Sequence, residues 1–140
     1  MIPKFRAFNK KTKKMYSIDG FKASERKIYR CSLADDEFRS GRLETFHFVE
    51  DNLDDYILMQ STGLKDKNGV EIFEGDVVET EWFKDYEDFS GYRKRGEVVF
   101  REGYFGIRYP KDSKRYPYHM LVAAIDIENI GNIYIKTLNY

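Results

Sequence analysis

Five carboxylates crowd the twenty residues STGLKDKNGVEIFEGDVVET, positions 61–80, and such density invites a metal-site reading. A calcium loop needs oxygen ligands at fixed positions, a glycine at the sixth and a bidentate Glu at the twelfth. Placing Asp66 first puts Asn68 third, but Val70, Glu71 and Val77 then stand where Asn or Asp, Gly and Glu are required. The spacing fails that loop. Asn68-Gly69 and Glu74-Gly75-Asp76 instead supply two backbone corners, because Gly adopts positive φ without a Cβ penalty. On this reading Asn68, Gly69, Gly75 and Asp76 are structural turn residues, Ile72 and Phe73 plug the core between them, and the acidic neighbours face water. The competing reading gathers Asp66, Glu71, Glu74 and Asp76 around a metal, or uses Glu71, Glu74 and Asp76 as acid and base.

The other chemistry-bearing residues are sparse. His47 and His119 lie 72 positions apart, and Cys31 is the lone cysteine. A zinc site wants more nitrogen and sulfur ligands than these three bring, and a reactive thiol wants a lowered pKa that no neighbour in the sequence supplies. Both histidines therefore read as structural and Cys31 as packing. Neither common phosphate-cradling glycine loop nor a nucleophile elbow is present. No catalytic residue, metal ligand or cofactor is assigned on these grounds.

Basic residues interleaved with aromatics form a different pattern. KFRAFNKKTKK near the start, GYRKR at 91–95 and RYPKDSKRYPYH at 108–119 could stack bases and neutralise phosphates, as small barrels that bind nucleic acid do. The candidates are Lys10, Lys11, Lys13, Lys14, Arg93, Lys94 and Arg95. Against this stands the charge map. Residues 1–34 carry 10 basic and 2 acidic side chains, 35–90 carry 5 and 17, and 91–140 carry 9 and 5, so the formal net charge is zero. An acidic middle repels a polyanion, whereas ends and middle of opposite sign can pack together or drive self-association.

Elements able to position these residues follow from composition. In 140 residues, eleven Phe, eleven Tyr and one Trp carry far more apolar surface than a disordered chain would, despite the polar overall balance. One cysteine rules out an intramolecular disulfide and suits a reducing compartment, and no run approaches a membrane span or a signal h-region. A cytoplasmic protein is the expectation.

Periodicity is mainly that of strands. IPKFRAFNKKTKKMYSIDGF predicts a hairpin with Phe5, Ala7, Met15 and Ile18 partly buried; IYRCSL, TFHFVE and YILMQS predict strands; SLADDEFRSG carries the caps of a brief helix. Beyond residue 62, DVVETEW, GEVVFRE, YFGIRY, HMLVAAIDIE and GNIYI follow at the close intervals of a small antiparallel barrel. The three residues REG between GEVVF and YFGIR make the clearest hairpin, and Gly106 signals a bulge or close backbone approach. KDYEDFSGYRKR, 84–95, reads as a long hairpin tip. The fold class is mainly β, with α+β as the alternative, in two parts: a β-rich region with a short helix over 1–61 and an SH3-like antiparallel barrel over 62–140.

Taken together, KFRAFNKKTKKMY, LMQSTGLKDKNGVEIFEGDVV, GEVVF followed by GYFGIR, and IGNIY resemble the YopX family of bacterial phage and prophage proteins. The blocks fall in that family's order and touch most of the chain, the middle one being the most specific. The sequence departs from the pattern at Phe8-Asn9, where the family usually has Trp-Asp, in an insertion around 82–95, and in its C-terminal tail. The resemblance implies an origin in a mobile element, a bacterial cytoplasm, and a β-rich fold whose second half is similar to an SH3-like barrel. It brings no catalytic residue set. The expected function is a non-enzymatic module that binds a protein partner or itself as a homo-oligomer; the alternative is a nucleic-acid-binding β-barrel.

Overall fold

The computed structural model describes residues 3–35, 47–83, 91–110 and 118–135. The chain divides into two compact units, Met1–Gln60 and Ser61–Tyr140, both mainly antiparallel β.

In the first unit, β1 (Phe5–Asn9) and β2 (Lys14–Lys22) form a hairpin in which Phe8 faces Met15 and Asn9 faces Lys14. Its polar NKKTKK turn is organised by buried Asn9, whose side-chain oxygen accepts the Lys11 and Thr12 amides while its carbonyl accepts Lys13 N–H. An Asx side chain thereby substitutes for ladder bonds the turn cannot make. β3 (Lys27–Cys31), β4 (Phe48–Asn52) and the first half of β5 (Tyr56–Lys65) complete the order β4-β3-β2-β1-β5. Ala7, Tyr16, Ile28, Ala34 and Tyr56 make its core.

One polar chain reaches that core. Arg30 lies 4.4 Å over the Tyr16 ring and donates from Nε to Tyr56 Oη at 2.6 Å, while the same hydroxyl donates to Asp51. Burial, aided by the bond to Asp51, pushes the Tyr56 phenol up to about 12, so it remains a donor throughout the working pH range.

In the second unit, Ser61 and Lys65 of β5 pair with Phe73 and Glu71 of β6 (Glu71–Phe73). A five-stranded sheet follows, built from β7 (Asp76–Phe83), β8 (Gly91–Arg101), β9 (Tyr104–Arg108), β10 (Tyr118–Met120) and β11 (Ile125–Asn132) in the order β10-β9-β8-β7-β11. Ile72, Val78, Val98, Ile107, Tyr109 and Leu121 form its core, with Leu64, Trp82, Phe105, Ala124 and Ile127 packed around them. The β8–β9 hairpin is tighter than the sequence suggests. Arg101 pairs with Tyr104, leaving only Glu102 (φ 54°) and Gly103 (φ 85°) in the turn, the double positive φ that matches strand twist.

Several expectations are corrected. Neither sheet closes into a barrel among the described residues, so the expected SH3-like barrel gives way to an open sheet. Its β11 side is met by a loop, where Lys67 N–H donates to Ile127 O and the Asp66 carboxylate accepts Asn129 N–H. HMLVAAIDIE is two strands divided by a 3₁₀ turn at Leu121–Ala123 that drives Leu121 into the core. GNIYI does not continue as a strand, because Asn132 Oδ1 accepts the Tyr134 and Ile135 amides and turns the chain. Residues 91–95 of the supposed hairpin tip belong to β8, whereas 84–90, and 36–41 of the expected helix, lie outside the described residues.

Candidate functional site

The acidic stretch is an internal brace. Asp66 is only 7% exposed and Asp76 1%, contrary to the expectation that these side chains face water. Asp66 Oδ1 accepts the Asn68 and Val70 amides at 2.9 and 2.8 Å, and Oδ2 accepts Asn129 N–H at 2.8 Å. Asp76 Oδ2 accepts Phe73 N–H and the Asn129 side-chain amide, both at 2.8 Å. Gly69 and Gly75 hold φ of 82° and 88° at the two corners. Burial pushes the Asp66 carboxyl upward, but the three backbone donors together outweigh it and hold it below the ordinary carboxylate range. These carboxylates are occupied by backbone amides and by the side-chain amide of Asn129. Among the described residues no group of three or more His, Cys, Asp or Glu is placed to hold a metal ion.

The proposed nucleic-acid residues fall in separate places. Lys10, Lys11, Lys13 and Lys14 sit on the β1–β2 hairpin of the first unit, exposed, with Lys11 Nζ 3.2 Å from Asp55. Arg93, Lys94 and Arg95 lie on β8 of the second. Strand alternation divides these three. Arg93 Nε and Arg95 Nε donate to the two oxygens of Glu79 at 2.6 and 2.9 Å, and Arg93 Nη1 reaches Asp126 at 2.8 Å. Hydrogen bonds from Arg95 and Arg93 hold Glu79 below its usual range, and the bond from Arg93 does the same for Asp126. Lys94 instead lies over aromatic rings, 4.8 Å from the Trp82 centroid and 5.4 Å from that of Tyr109.

Glu79→Gln tests the charge cluster. At neutral pH the variant is expected to unfold more easily by about 1 kcal/mol, since a partly buried carboxylate shared by two arginines exceeds a lone surface pair. A depressed folded-state pKa stabilises above the unfolded carboxylate value and loses that contribution as pH falls through the folded one. The gap between variant and parent in urea melts should therefore shrink in acid. A gap constant from pH 7 to pH 3 contradicts the assignment.

Around Trp82 the same sheet forms a groove. Its volume is about 200 Å³ and its lining is Glu81, Trp82, His119, Ala123, Ala124 and Ile125. Trp82 Nε1 donates to Thr80 Oγ1 at 3.0 Å and Tyr109 Oη at 3.3 Å, so the polar atom of the indole is satisfied within its own sheet. His119 packs edge-on against it at 5.2 Å. Next to the groove, Val122, Ile125 and Met120 are 70, 51 and 48% exposed. His119 thus lines a surface, while His47 is exposed in the first unit and Cys31 is buried there. Sequence reasoning overlooked Glu81, Ala123, Ala124 and Ile125; the single tryptophan was the available signal.

A mainly β protein with two antiparallel sheets among the described residues, divided into two compact units and carrying an apolar groove beside a neutralised charge cluster, is the class these features define. The family model described as YopX protein matches residues 4–137, and the chain belongs to the YopX family. It is also similar to the crystal structure of protein EF1440 from Enterococcus faecalis, at 28% identity and a TM-score of 0.56, covering 96% of this chain and 94% of that one. No curated protein matches. Among the described residues no helix is long and apolar enough to cross a membrane.

Proposed function

We propose that this chain is a non-enzymatic protein-interaction module of phage or prophage origin, acting in the bacterial cytoplasm and docking a polypeptide in the groove beside Trp82. The observation that carries the reading is the run of apolar side chains around it: Met120, Val122 and Ile125 are held toward solvent by a 3₁₀ turn anchored on buried Leu121. Exposed apolar surface clustered beside a concave site is what an interaction surface requires. A groove of about 200 Å³ is smaller than the roughly 300 Å³ at which small-molecule pockets begin, which favours one inserted side chain over a cofactor. The nucleic-acid alternative is weakened where Arg93 and Arg95 already engage Glu79.

The test compares parent, Ile125→Asp and Val122→Asp as bait in host-cell lysate, with native mass measured by light scattering. Either a partner or a second copy is expected to associate with the parent and to be lost in both variants, because each buries a charge against an apolar contact. Identical associations for all three proteins would overturn the reading.

A further inference from the structure

We propose that Asn68 is a site of self-modification: its side-chain amide is lost to attack by the Gly69 backbone nitrogen, leaving aspartate or isoaspartate, and the Asp66 corner governs how fast. Of the six asparagines in the chain, only Asn68 precedes a glycine. Without a Cβ, that glycine leaves its backbone nitrogen little shielded. The fold singles out the same residue. Asn9, Asn52 and Asn132 accept backbone amides through Oδ1, and the Asn129 side-chain amide donates to Asp76. Asn68 is exposed, and among the described residues its side chain makes no hydrogen bond. A Cβ built on Gly69 meets nothing within 4 Å, so the flank of the glycine is open as well.

Water is the only co-reactant. Hydroxide removes the Gly69 amide proton, the nitrogen bonds to Asn68 Cγ, and the Cγ–Nδ2 bond breaks as ammonia leaves. Water then opens the cyclic imide. Cleavage of its N–Cγ bond gives aspartate on an unchanged main chain. Cleavage between the nitrogen and the Asn68 main-chain carbonyl carbon gives isoaspartate, whose main chain runs through Cβ and Cγ and is longer by one atom. Nothing is oxidised or reduced.

In the closed corner the attacking nitrogen is withheld. Gly69 N–H donates to Asp66 O at 3.0 Å, and the Asp66 carboxylate accepts the amides on either side, Asn68 at 2.9 Å and Val70 at 2.8 Å. The proton to be removed is therefore hydrogen-bonded, and the nitrogen anion would form beside a buried carboxylate of the same sign. Attack awaits local opening of residues 66–70, so the rate follows how often that turn opens. Isoaspartate makes the opening permanent. Asp66 N–H donates to Val70 O at 2.8 Å, and an added main-chain atom between the two displaces that pair. The same carboxylate accepts Asn129 N–H at 2.8 Å, so the change reaches β11.

The full-length protein and the blocked peptide acetyl-LKDKNGVEI-amide, residues 64–72, are aged side by side in mildly alkaline buffer and followed by peptide mapping with mass spectrometry. Conversion is expected at Asn68 and not at Asn9, Asn52, Asn129 or Asn132. It should run about tenfold slower in the folded protein than in the peptide, equivalent to about 1.4 kcal/mol of opening free energy. Asp66→Asn, and separately urea below the parent's unfolding midpoint, should each raise the rate toward that of the peptide. In hydrogen exchange, aged protein should show a fast-exchanging Asn129 amide in proportion to its isoaspartate content. Asn68→Asp, which carries the new charge on an unaltered main chain, should keep that amide protected. Equal rates in parent and peptide, an intact Asn68 in Asp66→Asn after the peptide has converted, or a rate indifferent to both Asp66→Asn and urea overturns the proposal. So does equal Asn129 protection in aged protein and Asn68→Asp.

Discussion

Gly96→Ala is expected to cost the protein about 3 kcal/mol of stability, the upper range for overpacking a filled core, and to disturb the groove with it. Gly96 is buried in β8 opposite Val78. A Cβ there would stand 2.5 Å from Ile107 Cγ2, 2.9 Å from the Arg108 carbonyl oxygen and 3.1 Å from Tyr109 Cδ1. Ile107 is fully buried and Tyr109 3% exposed, so neither has free space to retreat into, and the carbonyl belongs to the backbone. Tyr109 in turn shares a hydrogen bond with Thr80 at 2.7 Å and packs edge-on against Trp82 at 5.5 Å. Movement at Gly96 therefore reaches the indole. Gly20 is the matched control, since a Cβ there meets nothing within 4 Å; Gly20→Ala should change stability by less than about 0.5 kcal/mol. Urea melts followed by far-ultraviolet circular dichroism, which reads the strands of both units, give both numbers. Equal midpoints for the two variants would refute the packing between β8 and β9.

Asp66→Asn should be nearly as damaging at neutral pH and progressively less so in acid. The carboxylate accepts three backbone N–H groups, and an amide can offer one oxygen while turning an N–H toward a donor. A loss of about 2–3 kcal/mol follows from orphaning part-buried donors and removing charge-assisted bonds. The pH dependence has a definite sign. Because the folded-state pKa lies below the ordinary value of about 4, the carboxylate contributes fully above that value and the contribution disappears as pH falls through the folded pKa. Parent and variant curves should converge toward pH 2. Parallel curves would mean that the turn is held by shape and not by the charge.

Local pattern made the hairpins legible. The β1–β2 turn and the β8–β9 turn were readable because apolar alternation flanks Asn, Lys and Gly in a few consecutive residues, and Asn68-Gly69 marks its own corner. What stayed hidden is every feature completed from far along the chain. Asp66 reads as a solvated surface residue until Asn129, 63 positions later, presents its amide. Arg93 and Arg95 read as free cations until the strand register sets Glu79 across from Arg95. Strand spacing likewise does not reveal an open sheet, because what meets β11 is a loop with no periodicity of its own. The groove was illegible for the same reason: Trp82, His119 and Ala123–Ile125 come from three segments, and only Trp82 stands out by type.

The Asp66 brace also dictates an order of events during synthesis. Residues 66–70 emerge from the ribosome well before Asn129 exists, so their corner waits half-built, its carboxylate hydrated, until the final strand is translated. Non-local closure of this kind is slow, and the waiting nascent segment exposes Ile72 and Val78 to whatever chaperones are at hand. Truncated chains ending before residue 125 should therefore remain protease-sensitive across the entire second unit.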